Sequence, residues 1–208
     1  MSLVAVIDIG KTNKKVALFD ATLQQVAHRQ APFPAQPDAQ GILVEQTDAI
    51  WAWLKQQLTE LFRAHPFSAI SITTHGAAWA ALTANGQLAV PVIAYEHDLG
   101  DQGQRDLDQE FYRRCGRLED LQAETGTCDL PLLVNPAKMV LFAQQHYAAG
   151  WATAKKMVNY PQFWGYLLTG MLASEATYSA NHSFLFDLHK RAASTAAHAL
   201  GVASMLDF

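Results

Sequence analysis

Val6-Ile7-Asp8-Ile9-Gly10-Lys11-Thr12-Asn13-Lys14-Lys15 is the stretch on which the reading of this sequence turns. A carboxylate at the end of an apolar strand is costly unless it has a partner, and Asp8 is followed at once by a glycine and a run of donors. Such a turn suits a polyphosphate with its metal ion. Backbone N–H groups around Gly10 can converge on phosphate oxygens, Thr12 and Asn13 add side-chain donors, and Lys11 or Lys15 balances charge. Asp8 then stands where it can hold a hydrated Mg²⁺ through water, since that ion keeps several waters and takes few carboxylates. Read from these residues alone, a plain hairpin with a solvated lysine cluster remains the competing account. A Walker A loop is excluded, because Gly10 is the only glycine in the window.

Outward from the turn, residues 3–9, 14–19 and 23–30 are apolar and β-branched and predict three strands in an antiparallel meander. After prolines at 32, 34 and 37, residues 47–63 place Ile50, Trp51, Leu54, Leu58, Leu61 and Phe62 at helical spacing, with Thr47 as the expected N-cap. Pro66 ends that helix. Strands are expected at 69–73, 78–82 and 88–95, with a turn at Asn85-Gly86. Helices are expected at 105–115, 118–125, 136–146 and 160–168, punctuated by Gly116, Gly126, Gly150 and Gly170. Residues 174–187 read as extended and 192–200 as a closing helix. Strands first, then strand, helix and strand, then mostly helix, give a mixed α/β layer rather than a doubly wound βα array.

The chain has 208 residues, half of them hydrophobic, which is enough for a sizeable core and near the upper range of one domain. No linker or repeat divides it. A net charge of −4 with 16% charged residues leaves no basic excess for nucleic acid or an anionic membrane, so neither is an expected partner. Cys115 and Cys128 are too few for a disulfide framework and lack metal-ligand spacing, which fits a reducing cytoplasm. Met1-Ser2-Leu3 runs straight into the first strand without the regions of a signal peptide. No apolar run approaches the roughly 20 residues of a membrane-spanning helix, so a soluble protein is expected. The five tryptophans read as packing, and Asp98, Asp101, Asp106, Asp108 and Glu110 as a solvated helix start.

Asp8 to Lys15 after an amino-terminal apolar strand resembles the first phosphate motif of the actin-like ATPase superfamily, specifically of the FGGY carbohydrate kinases. Later stretches agree in order. Ser71-Ile72-Thr73-Thr74-His75-Gly76-Ala77-Ala78-Trp79 resembles the family's sugar-contacting strand end, nearest to the rhamnulokinase and fuculokinase branch. Pro91-Val92-Ile93-Ala94-Tyr95 resembles the strand that ends in an aromatic residue over the sugar. Tyr166 to Gly170, Ser174 to Ser179 and Leu185 to Asp187 resemble the Leu-Thr-Gly helix end and the Ser/Thr-rich segment after it.

The resemblance implies a ribonuclease H-like, actin-like ATPase fold with a mixed sheet and flanking helices, and residues 1–208 as the amino-terminal domain. It implies ATP and Mg²⁺ as cofactors, transfer of phosphate to a sugar or polyol, and work in the cytoplasm. A homodimer stays open. Asp8 carries over as the catalytic acidic residue and the metal holder through water, and Gly10, Lys11, Thr12, Asn13 and Lys15 as phosphate ligands. His75, Gly76, Ala78, Tyr95, Glu96 and His97 carry over as substrate contacts. Two departures bear on specificity. Glu96-His97-Asp98-Leu99 stands where many relatives have a residue followed by Asp and Arg, and Ala78 stands where the deoxy-sugar kinases place an acid, for which Glu96, His97 or Asp98 could substitute. No Gly-Thr-x-Asp segment occurs, so the general-base Asp and adenosine pocket are expected elsewhere in a longer enzyme, and the chain alone is expected to be inactive. A non-catalytic actin-like scaffold or sugar-binding domain, and another actin-like protein such as an acetate kinase, a hexokinase or a chaperone ATPase, are the alternative readings.

Overall fold

Ala5, Ile7 and Ile9 alternate into the interior along β1 (Val4–Ile9), which leaves Asp8 exposed near its end. A computed structural model describes residues 2–206, and its contacts group them into two compact units that divide between Gly76 and Ala77. In the first unit β1 pairs antiparallel with β2 (Asn13–Phe19), and β2 antiparallel with β3 (Gln25–Pro32). The expected meander is present. Two short strands, β4 (Gln36–Pro37) and β5 (Leu43–Val44), lead into α1 (Thr47–Ala64). That helix supplies the crossover that a parallel pairing needs, and β6 (Ala69–Thr74) returns beside β1 in parallel, giving the order β3-β2-β1-β6.

On α1 the buried stripe Ile50, Leu54, Leu58 and Leu61 follows the helical period, and each such aliphatic side chain contributes about 1.5–3 kcal/mol on full burial. Gln46 occupies the N-cap position without a capping side-chain bond, while Thr47 is buried one residue further in. The expected Thr47 cap is therefore displaced by one residue. Pro66 follows the helix end as expected, with His65 N–H bonded to Leu61 O at 2.8 Å.

The second unit opens with β7 (Trp79–Thr83), which pairs antiparallel with β8 (Ala154–Asn159). Between them lie α2 (Gly100–Cys115), α3 (Leu118–Thr125), α4 (Pro136–His146) and the short α5 (Ala148–Trp151). After β8 come α6 (Tyr160–Thr169), α7 (Ala176–His182), the paired strands β9 (Phe186–Asp187) and β10 (Ala192–Ala193), α8 (Thr195–Ala199) and a final 3₁₀ turn at Ala203–Met205. Gly126 and Gly170 end α3 and α6 with φ of 66° and 73°, the left-handed conformation that glycine adopts without steric cost.

Three expectations fail in this unit, and one strand, β8, was not expected. Residues 88–95 form no strand beyond a bridge from Leu88 to Leu82, because Pro91 has no N–H to continue the ladder after Ala89 donates to Ala81 O at 2.8 Å. Their apolar character instead buries Val90, Val92, Ile93 and Ala94 as a loop. Residues 176–182 are helical rather than extended, since Glu175 caps α7 by accepting from the N–H groups of Thr177 and Tyr178 at 3.0 and 2.7 Å. In the closing segment Ser194 caps α8 through Ala197 N–H at 3.1 Å, so that helix begins only at Thr195. β8 carries Lys155 and Lys156 in its first half, which hid it from a search for apolar runs. The tryptophans Trp79 and Trp164 are core residues, as expected. No helix among the described residues is long and apolar enough to cross a membrane.

Candidate functional site

An ideal Cβ on Gly10 would lie 2.8 Å from the carbonyl oxygen of Asn13, so the turn between β1 and β2 closes too tightly for any side chain at that position. Phe33 N–H donates to Thr12 O at 2.8 Å and ties the turn to the end of β3. Thr12 and Asn13 are exposed, Lys11 and Lys15 half-buried. Asp8 sits opposite Lys15 across the β1–β2 pair and beside Thr73 of β6. An open carboxylate, two lysines and a tight glycine turn are thus brought together at one end of the sheet.

The residue that fixes this turn is Lys14, which the sequence reading passed over. Its side chain is fully buried, and its ammonium donates to Gly10 O and Lys11 O at 2.9 Å each and to Phe33 O at 3.2 Å. A buried ammonium needs a counter-charge, and Glu45 supplies it from the end of β5 at 3.5 Å. The same carboxylate accepts from Lys11 at 3.0 Å and faces His75 Nε2 at 3.5 Å, while its side chain has no exposed surface. Burial opposes ionisation of Glu45. The nearby His75 ring nitrogen, the charges of Lys11 and Lys14, and the Lys11 hydrogen bond together outweigh it and bring the carboxyl down to about 2.

The signal for Lys14 was present in the strand period: Lys14, Val16 and Leu18 fall on one face of β2, and Val16 and Leu18 are core. Glu45 gave less warning, being a lone acid after the apolar Ile42-Leu43-Val44. His75, expected as a sugar contact, lies beside the turn through Glu45. Its backbone N–H bonds Ile9 O at 3.0 Å and its Nδ1 lies 3.0 Å from Gly76 O. Gly76 is exposed.

The remaining expected contacts belong to the second unit. Ala78 is fully buried, and its carbonyl accepts from Tyr160 N–H at 3.1 Å. Tyr95 is half-buried with its carbonyl bonded by Leu133 N–H at 3.1 Å, and Glu96 is exposed. His97 donates its backbone N–H to Ala94 O at 3.0 Å and its ring lies 5.7 Å from that of Phe142. His182 at the end of α7 accepts from Ala77 N–H through Nε2 at 2.9 Å, and burial lowers its pKa below 6.5, so the ring is held neutral with its proton on Nδ1.

Lys138 of α4 is a second buried lysine. It pairs with Asp108 of α2 at 2.6 Å and with Asp129, and stands 5.2 Å from the Tyr112 ring centroid. Asp108 is therefore a paired group rather than part of a solvated helix start. Cys115 is buried, and burial pushes its thiol up to about 12, which makes it inert. A cavity of about 540 Å³ lies against Cys115, Leu121, Glu124, Asp187 and Lys190, but Asp187 already pairs with Lys190 at 2.9 Å and Glu124 already accepts from Thr195 N–H at 3.0 Å.

Among the described residues no three His, Cys, Asp or Glu side chains gather to hold a metal ion. The single open carboxylate of Asp8 beside lysine donors fits a hydrated Mg²⁺ that takes its other ligands from phosphate oxygens and water.

A family model described as the N-terminal domain of the FGGY family of carbohydrate kinases matches residues 3–205. The chain belongs to this family. Its fold is the actin-like ATPase fold, here a mixed sheet with an amino-terminal meander. Among solved structures, a carbohydrate kinase from Novosphingobium aromaticivorans is 28% identical with a TM-score of 0.83, over 98% of this chain and 42% of that one. A ligand-bound xylulose kinase from Lactobacillus acidophilus has a TM-score of 0.82 at 16% identity, over 100% and 41% of the two chains. A Plasmodium falciparum glycerol kinase with ADP has a TM-score of 0.80 at 16% identity, over 99% and 42%. The last two likenesses are likenesses of fold. The chain spans about 42% of the length of the carbohydrate kinase it resembles at 28% identity. No curated protein matches the sequence significantly. The resemblance to the rhamnulokinase and fuculokinase branch gains no support from these solved structures, which are named for other substrates or for carbohydrate in general.

Proposed function

We propose that this FGGY domain supplies the phosphate turn and part of the sugar site of a cytoplasmic kinase that moves the γ-phosphoryl group of ATP to a hydroxyl of a sugar or polyol. The observation that carries the reading is the Gly10 turn. It is closed too tightly for a side chain, locked from beneath by Lys14, and leaves Asp8, Thr12 and Asn13 open. Phosphoryl transfer asks mainly for positioning and charge neutralisation, and a rigid turn with lysine donors provides both. Gly10, Lys11, Thr12, Asn13 and Lys15 bind phosphate in this reading. Asp8 holds Mg²⁺ through water, and that ion, when bound, would neutralise charge on the phosphates. His75 and Gly76 are assigned to the sugar in the first unit, and the family resemblance assigns Tyr95, Glu96 and His97 to it in the second. Ala78, being a buried methyl, contributes its backbone only.

The general base is assigned to a longer parent protein, and the chain alone is expected to bind without turnover. A thermal-shift screen of this chain against polyols and ketoses, with and without MgATP, tests the assignment, because a ligand that binds only the folded state raises the melting temperature. Stabilisation by at least one sugar or polyol is expected. A flat screen would remove the sugar site, and ATP-dependent phosphorylation by this chain at about 1 s⁻¹ or faster would overturn the expected inactivity.

A further inference from the structure

Oε1 of Glu45 is shared. It accepts from Lys11 of the phosphate turn at 3.0 Å and faces Nε2 of His75, at the end of β6, at 3.5 Å. Oε2 faces Lys14, whose ammonium holds the carbonyls of Gly10 and Lys11. One closed carboxylate therefore touches both the turn assigned to phosphate and the histidine assigned to the sugar, and these contacts all lie inside the first unit. We propose that Glu45 is a positioning residue that couples the phosphate turn to His75, so that an anion drawing on Lys11 changes how His75 is held. The inference rests on the phosphate reading of the turn.

The coupling follows from competition for one oxygen. An incoming polyphosphate attracts the Lys11 ammonium, which stretches its bond to Oε1, and the released lone pair strengthens the contact to His75 when Nε2 carries a hydrogen to donate. Lys14 keeps Oε2 in place meanwhile, because its own cradle of carbonyls is closed to solvent. Without the carboxylate, Lys14 loses its counter-charge and the turn its rigid base, while His75 loses its link to the turn. A carboxylate that were only a neighbouring charge would act differently, since its removal would ease the approach of an anion and tighten binding.

The experiment is NMR of the full chain titrated with magnesium tripolyphosphate, following the Gly10 amide and the His75 ring. In the unaltered protein both sets of resonances are expected to move with one saturation curve. In Glu45→Gln the Gly10 amide should still respond, with affinity weakened about 10-fold, as outer partners of a binding group typically show, and the His75 ring should stay still. Equal or tighter binding in Glu45→Gln with the His75 response intact overturns the coupling alone. Silence of Gly10 in the unaltered chain overturns the phosphate reading, and the coupling with it. Should Glu45→Gln lose its fold, Lys11→Met tests the same link through a side chain that is 20% exposed. Read at saturation, the His75 response should vanish there, and its persistence overturns the proposal.

Discussion

Lys14 in the first unit and Lys138 in the second are both closed off from solvent, yet different groups hold them. Lys14 is bound mainly by main-chain carbonyls of the turn it supports, Gly10 O and Lys11 O, with Phe33 O and a carboxylate that has no exposed surface. Lys138 is bound by two side chains, Asp108 and Asp129, which keep 30% and 36% of their surface in water. The first arrangement spends a buried charge on the shape of a backbone loop. The second spends it on bracing α4 against α2 and a neighbouring loop. In the phosphate reading proposed for the turn, a charge that fixes backbone shape serves a ligand that reads backbone N–H groups; a charge that braces helices serves stability.

The largest expected effect separates the two. Lys14→Met leaves Glu45 buried with part of its counter-charge gone and three carbonyls without their donor, a loss of about 3–5 kcal/mol. Lys138→Met should cost about 1–3 kcal/mol, because Asp108 and Asp129 can rehydrate where they stand. Native-state hydrogen exchange, read at the amides of β2 for one variant and of α4 for the other, gives both numbers in one experiment. Equal losses would break the contrast.

Sequence legibility follows the same division. The meander, α1, β6 and most of the helices of the second unit were readable because apolar side chains recur there at period 2 or 3.6 and glycines stop them. The turn was legible as a tight turn because its glycine and its donors are contiguous in the chain. Glu45 was not, since its partners Lys11, Lys14 and His75 are brought to it only by the pairing of β1 with β2 and β6. Residues 88–95 misled because an apolar run signals burial, and burial as a loop looks like burial as a strand until the missing N–H of Pro91 is counted. α7 was hidden for another reason: a Ser/Thr-rich segment favours extended chain, and the Glu175 cap outweighs that local tendency.

Acid should sharpen the contrast between the units. Glu45 titrates in the folded protein at about 2 against an ordinary 4.5, so its stabilising contribution is complete above 4.5 and disappears as pH falls from there towards 2. His182 has its pKa lowered from 6.5 by burial, so the folded state resists a proton that the unfolded chain accepts, and stability declines as pH falls through and below 6.5. The second unit should therefore soften at milder acidity than the first. Exchange rates of β1 and α7 amides, measured from pH 7 to pH 5 so that the Glu175 cap of α7 stays ionised, provide the check after correction for intrinsic exchange. His182→Gln should flatten the α7 profile and leave β1 unchanged, whereas an α7 profile that keeps its slope in that variant assigns the softening to another group.

Salt gives the smallest effect and the finest test of why the two lysines differ. The screening length falls from about 10 Å at 0.1 M to about 3 Å at 1 M, but only charges that reach solvent are screened in full. Asp108 and Asp129 reach it, while Glu45 and Lys14 do not. Raising NaCl across that range should lower the protection of α4 amides by less than about 1 kcal/mol and leave the Phe33 N–H to Thr12 bond of the turn unmoved. Salt also strengthens apolar burial, which would raise protection everywhere and mask the loss, so the reference is Lys138→Met: with the ion pairs gone, α4 should show only that general rise. The difference between the two α4 responses then isolates the charge term. A salt response at the turn as large as the one at α4 would mean that water reaches Glu45, and a carboxylate open to water could not hold Lys14 and the turn's carbonyls in one fixed geometry.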